Sequence, residues 1–404
     1  MTIKNNLDAT LKSHNAGRIP SLDGLRAVAI LMVILGHGSY SLPKFLSPAL
    51  AFAGNGQLGV NVFFALSGYL IFQLSVRERE TTGEFDWKQF YVRRVLRIFP
   101  CFYFYLAVIG VLISFGALTL TGPMIGSAAT FSLNYRCLWD HWVGDSNYSV
   151  IGHYWTLALE EQFYLMWPLL MVLSVRRKLV PALVAAILLA PLLRVISYFL
   201  APGLRGQIGM MFHTGFDSIA VGVLLGELLR RTRPKACLER LARNPWIVGT
   251  TIVFLVFLSP LLTARFKGMY SLAIGKTLEL SCLGILITAA VSQPGTFLFR
   301  FLNWRPVAYI GVLSYSLYVW NNLFLNGEGH WMVNTFPLNF VCVAGTAAAS
   351  HYLIEKPFLK LKSRFHRSSK PGISPVSTRG LPSNAPAIPT LTQAEVGSAT
   401  GGRR

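Results

Sequence analysis

Ser21-Leu-Asp23-Gly-Leu-Arg26-Ala-Val-Ala-Ile-Leu-Met-Val-Ile-Leu-Gly-His37 is apolar at nearly every position between its arginine and its histidine. A helix needs about 20 mostly apolar residues to cross a bilayer. The stretch 22–41 meets that length, so it reads as a first membrane span. A charge inside a span costs at least a few kcal/mol, roughly, and so marks a functional site by default. Arg26 and His37 are eleven residues apart, just over three helical turns. Both therefore lie on nearly the same face, separated along the axis by about 16 Å.

The rest of the chain repeats this pattern. Of 404 residues, 53% are hydrophobic and 13% charged, against about 25% charged in a soluble domain. Nine further apolar runs follow, at 57–76, 99–119, 155–174, 179–200, 208–229, 246–264, 270–291, 306–326 and 336–357. The stretch 124–133 is too short to span and is read as interfacial. The expected fold class is all-α: a polytopic membrane helical bundle of about ten transmembrane helices.

The net charge of +20 does not point to nucleic acid, because Lys and Arg cluster at the ends of the apolar runs, where they set membrane topology. With the N-terminus in the cytoplasm, most of the 37 Lys and Arg fall on that side. The opposite loops hold Lys44, Arg136, Arg205, Arg265 and Lys267; Arg26, Arg194 and Lys276 lie within spans. This asymmetry predicts an N-in, C-in topology. The expected organisation is a cytoplasmic segment 1–20, a transmembrane domain 21–360 and a tail 361–404. The tail is rich in Ser, Pro, Gly, Thr and Ala and is expected to be disordered. No cleavable signal peptide is expected, since the first apolar run is long enough to remain as a span. The five cysteines are dispersed with no CxxC spacing, and no metal site is expected.

Several polar groups interrupt the apolar runs. Arg93, Arg94 and Arg97 precede Pro100 at three- and four-residue spacing, so a helix presents them together. Such a cluster suits phosphate groups, or it is a topological stop. At the start of the fourth span, His153-Tyr-Trp155-Thr156-Leu-Ala-Leu-Glu160-Glu161-Gln-Phe-Tyr164 places adjacent carboxylates in the membrane, which is costly unless they line a wet cavity. Asn61 and Ser67 lie in span two, and Ser67-Gly68 also fits close helix packing. His213 and Asp217 are four apart and are placed to bond each other. Tyr315, Tyr318, Asn321 and Asn322 run along span nine. Ordering by depth puts Arg26, Arg93, Arg94, Arg97 and Arg305 towards the cytoplasm, and His37, His153, Glu160, Asp217 and Asn321 at middle or outer depth. One cavity crossing most of the bilayer would account for both sets.

These stretches resemble acyltransferase family 3, a family of multi-pass membrane O-acyltransferases. Leu22-Asp23-Gly-Leu-Arg26…His37 is similar to the family's opening Arg-x10-His motif. Gly59-Val-Asn61-Val-Phe-Phe-Ala-Leu-Ser67-Gly68-Tyr69, Arg94-Val-Leu-Arg97-Ile-Phe-Pro100 and Trp155-Thr156-Leu-Ala-Leu-Glu160-Glu161-Gln-Phe-Tyr164 resemble its next blocks. Ser314-Tyr315-Ser316-Leu-Tyr318-Val-Trp320 and Ile354-Glu355-Lys356-Pro357-Phe resemble its last two. The likeness runs from about residue 18 to 360. Departures are Asn321 where a His is common, Gly215 where an Arg often precedes Asp217, and Thr156 for Ser.

The resemblance implies an O-acetyltransferase of a bacterial-type inner membrane. It would move an acyl group from cytoplasmic acyl-CoA, a co-substrate rather than a bound cofactor, to a carbohydrate or other hydroxylated acceptor. On that reading Arg94 and Arg97, with Arg93, hold the donor's phosphates and Arg26 its deeper part. His37 is the base or covalent acyl carrier, oriented by Glu160. Asp23, Asn61, Ser67, Trp155, Glu161, Tyr164, Asp217, Tyr315 and Asn321 form the surrounding shell. The alternative is a transporter using buried His, Glu and Arg as a relay. Transporters often carry two related halves, and no internal repeat is evident here.

Overall fold

The computed structural model describes residues 19–43, 45, 53–138, 147–175, 178–327 and 331–363. The tail expected after 360 and nearly all of the expected N-terminal segment lie outside these residues. Every regular element among the described residues is helical. Helix α1 is Pro20–Gly38, α2 Gly56–Thr82, α3 Trp87–Ser114, α4 Trp155–Val175, α5 Leu179–Leu200, α6 Asp217–Leu228 and α7 Thr232–Arg243. Helices α8 (Pro245–Phe266) and α9 (Gly268–Ser292) follow, then α10 (Arg305–Phe324). The last, α11, covers 338–363 and passes through a π-helical turn at His351–Glu355.

Local sequence explains where the helices begin and end. Pro20, Pro245 and Pro306 sit in first turns, where a missing N–H costs nothing. Asn55 and Asp86 cap α2 and α3 by accepting from the backbone N–H of Leu58 and Gln89. Gly83, at φ +83°, closes α2 through its own N–H on the Arg79 carbonyl; that left-handed conformation favours glycine.

The chain is a helical integral membrane protein. By length and apolarity alone, α1, α2, α3, α5, α8 and α9 are able to cross a membrane. Their exposed leucines, such as Leu188 and Leu192 on α5, suit a lipid surround, where only intrahelical bonding satisfies the backbone. Each of the ten expected spans overlaps a helix, with two shifts. Helix α3 starts at Trp87 rather than 99, which puts Arg93, Arg94 and Arg97 on the spanning helix itself. In place of 208–229, α6 is only 12 residues long, preceded by turns and a short helix, Phe212–Gly215. The 124–133 stretch forms a short helix, Gly122–Ala129, and then turns at Phe131, whose ring stacks on Phe99 and Phe102.

Two glycine contacts set how the bundle assembles. A Cβ on Gly311 would stand 1.8 Å from the Asp23 carbonyl oxygen, and one on Gly222 would stand 1.9 Å from that of Ala65. Only glycine permits such approaches, so α10 lies directly on α1, and α6 directly on α2. Gly68 meets Ile219 in the same crossing. Of the pair Ser67-Gly68, the glycine serves packing and the serine turns to the other side of α2, where the cavity lies.

Candidate active site

Helices α1, α2, α3, α4, α10 and α11 enclose a cavity of about 590 Å³, within the range of small-molecule sites. Arg26 from α1 and Arg94 and Arg97 from α3 line it together. Asp23, Ser67, Glu160, Tyr164 and Tyr315 share its walls, all as expected from the sequence. Arg26 senses the charges of Arg97, Asp23 and Glu160, and its Nε is sealed from solvent with no hydrogen-bond partner among the described residues. A buried donor left open in this way is costly.

One wall is a connected network. The Glu160 carboxylate accepts from both Ser67 Oγ and Tyr164 OH, and those two hydroxyls lie 2.5 Å apart. Arg94 Nη1 donates to Tyr164 OH at 3.4 Å, and its guanidinium sits 4.6 Å from the centre of that ring. Arg94 is thus held flat against an aromatic face while its remaining N–H groups stay available. Arg93 is diverted. It pairs with Glu78 of α2 at 2.5 Å and is not among the lining residues. The expected three-arginine group on α3 is therefore two in the cavity and one tying α3 to α2, because a third successive guanidinium on that helix points past the opening.

The cavity ends at a floor. Tyr318 OH and Thr156 Oγ1 are 2.6 Å apart, and each hydroxyl also reaches the His153 carbonyl, both at 2.9 Å. The Tyr318 ring packs edge-on against Phe63. His37 lies beyond this floor and does not line the cavity. Its Nδ1 is 2.6 Å from Asn321 Oδ1, while Asn321 Nδ2 donates to the Tyr318 carbonyl at 2.5 Å. That second bond fixes the amide, so its oxygen faces His37. Nδ1 must then carry the proton, which leaves Nε2 with a free lone pair. Glu160 does not orient His37 as expected, because it is engaged on the cavity side by Ser67 and Tyr164. Asn321 bonds the imidazole in its place.

Other expected residues fall away from the cavity. Asn61 faces the opposite side of α2, donating to Glu279 and accepting from Ser218. Asp217 does not meet His213. It is fully buried between Arg194 Nη1 at 2.7 Å and Lys276 Nζ at 3.2 Å, while His213 stacks on Tyr135 and lies 3.3 Å from its hydroxyl. Trp155 packs edge-on against Phe64. Glu161 is not among the lining residues; its Oε1 is buried with no hydrogen-bond partner among the described residues. Asn322 donates to the Ser149 carbonyl.

The sequence reading missed one lining pair, His351 and Glu355 of α11; Glu355 entered it only as part of a terminal block. Their i, i+4 spacing within an apolar run was the available signal. It likewise treated Arg194 and Lys276 as isolated in-span cations, whereas both are partners of Asp217.

A family model described as an acyltransferase domain matches residues 19–355, a stretch that reaches into every helix lining the cavity. The chain belongs to acyltransferase family 3. It is 28% identical over 371 residues to the putative peptidoglycan O-acetyltransferase YrhL of Bacillus subtilis, covering 86% of this chain and 56% of that protein. It is 29% identical over 316 residues to the peptidoglycan O-acetyltransferase OatA of Listeria monocytogenes, covering 75% and 49%. It is 28% identical over 373 residues to the O-acetyltransferase OatA of Staphylococcus aureus, covering 86% and 58%. The chain thus spans about half the length of these curated relatives. No solved structure matches it.

Proposed function

We propose that this chain is a membrane O-acetyltransferase that takes acetyl from acetyl-CoA entering on the cytoplasmic side and delivers it to a hydroxyl of a carbohydrate such as peptidoglycan. The observation that carries this reading is the convergence of Arg26, Arg94 and Arg97 on one cavity inside an acyltransferase domain. The arginines suit the donor's phosphates and carbonyls through charge-assisted bonds. The orientation rests on the basic residues that flank the spans on the side of the N-terminus, and a bacterial inner membrane is part of the same proposal.

In this mechanism the donor's arm runs up the cavity past Arg26. The thioester meets His37 once the Tyr318 hydroxyl swings off Thr156. His37 Nε2 takes the proton of the acceptor hydroxyl as that oxygen attacks the thioester carbon. The C–O bond forms, the C–S bond breaks, and the departing thiolate takes the proton from the imidazolium Nε2, which restores neutral His37. A neutral imidazole with its Nδ1–H fixed on Asn321 is the form this step requires.

The direct test uses the protein in membranes with acetyl-CoA labelled in its acetyl group. Label is expected on an ester oxygen of the carbohydrate acceptor. Passage of acceptor or label across the membrane with no ester formed would overturn the reading in favour of a transporter. Removing the charges of Arg94 and Arg97 with glutamine is expected to raise the KM for acetyl-CoA by roughly 10- to 100-fold, since hydrogen bonds to charged groups contribute about 1.5–3 kcal/mol. An unchanged KM would assign both to topology.

A further inference from the structure

Beside the carboxylates of Asp23 and Glu160, the cavity is lined by a histidine able to act as a neutral acceptor. His351 lines the cavity from α11, which packs against α3. Its Nδ1 is 3.2 Å from Glu355 Oε2, and the other Glu355 oxygen accepts from Ser316 Oγ. A carboxylate held this way only accepts, so Nδ1 carries the proton. In the neutral ring Nε2 is then a lone-pair acceptor, and it has no hydrogen-bond partner among the described residues. The pair sits on the π-helical turn of α11, a local widening frequent at functional sites.

Helix packing gives the depth of this group. Asp23 lies against Gly311 and His37 against Asn321, so α1 and α10 run parallel, and Arg26 is level with about Ser314. Gly38 meets both Leu325 and Phe340, so α10 and α11 run antiparallel, which brings His351 to the level of Ser314 as well. The backbones of His351 and Arg26 therefore stand at one depth, about 16 Å short of that of His37 along the axis. Side chains lean towards the N-terminus of their own helix, so on these opposed helices the imidazoles of His37 and His351 lean towards each other and narrow that gap. On the acyl-CoA reading, on which this step rests, a donor whose thioester reaches His37 then carries the farther of the two amides of its arm towards His351. An amide N–H there needs an acceptor, since leaving it unmet in a closed site is costly. Arginines cannot supply one.

We propose that His351 is a donor-recognition residue, whose Nε2 accepts a hydrogen bond from an amide N–H in the arm of the acyl thioester. Glu355 and Ser316 are its positioning residues: they hold the proton on Nδ1 and so keep Nε2 open.

The test measures initial rates of the full chain in membranes against donor concentration. The donors are acetyl-CoA and an amide-free thioester, S-acetyl-2-mercaptoethanol. His351→Leu is expected to raise the KM for acetyl-CoA about three- to tenfold, the loss of one neutral hydrogen bond, with kcat nearly unchanged. His351→Gln, which keeps an acceptor oxygen, is expected to stay close to wild type. For the amide-free donor, His351→Leu and wild type should share one KM. If His351→Leu does not accumulate in membranes, Glu355→Gln reads out the same contact, because its amide no longer obliges Nδ1 to hold the proton, and a KM rise for acetyl-CoA alone is expected. An unchanged KM for acetyl-CoA, or an equal rise for both donors, overturns the assignment while leaving the acyl-CoA reading intact. Absence of thioester turnover by the wild-type chain overturns that reading itself, and the assignment with it.

Discussion

His37→Ala is expected to lower acetyl transfer by about 10²- to 10⁴-fold, the usual contribution of a positioned general base, with the protein still folded and inserted. The histidine is part-buried, and its Nδ1 bonds Asn321. Removing it takes away the proton acceptor but little packing. The KM for acetyl-CoA should change much less than kcat, because the arginines proposed to hold the donor lie on the other side of the Thr156–Tyr318 floor. Full turnover by His37→Ala at normal expression would remove the base from this mechanism. Asn321→Leu makes a finer check. It leaves the imidazole in place but no longer fixes which nitrogen carries the proton, so a smaller loss, confined to kcat, is expected.

The second large effect concerns stability. Asp217 is fully buried and is shared by Arg194 and Lys276, from three different helices. Asp217→Ala leaves two cations facing each other without their anion. Breaking a buried pair in this way costs about 3–5 kcal/mol, enough to remove most of the margin of an ordinary protein. Thermal unfolding in detergent should show a large fall in Tm, or the variant should fail to accumulate. Combining Asp217→Leu with Arg194→Leu and Lys276→Leu removes the charges together and is expected to recover much of the loss. A single Asp217→Ala variant as stable as wild type would show that water, not burial, surrounds this cluster. Its distance from the cavity predicts that the surviving fraction of any such variant keeps its KM for donor.

Much of this molecule is legible in its amino acids. Ten apolar runs with basic flanks specify a helical membrane protein, because a run of that length has no other way to satisfy its backbone in lipid. A fixed rise and turn per residue place Arg26, Arg94, Arg97, Glu160 and Tyr315 by depth and face, and those residues do line one cavity. The sequence alone determined these, since each depends only on spacing along its own helix. Which helix meets which was decided by the tertiary structure, at contacts as close as Gly311 on Asp23 and Gly222 on Ala65. Those crossings turned Arg93 to Glu78, gave His37 to Asn321 instead of Glu160, set Asp217 between Arg194 and Lys276, and brought His351 to the depth of Arg26. Pairings of that kind join residues far apart in the chain, and one-dimensional spacing carries no record of the angle at which two helices cross.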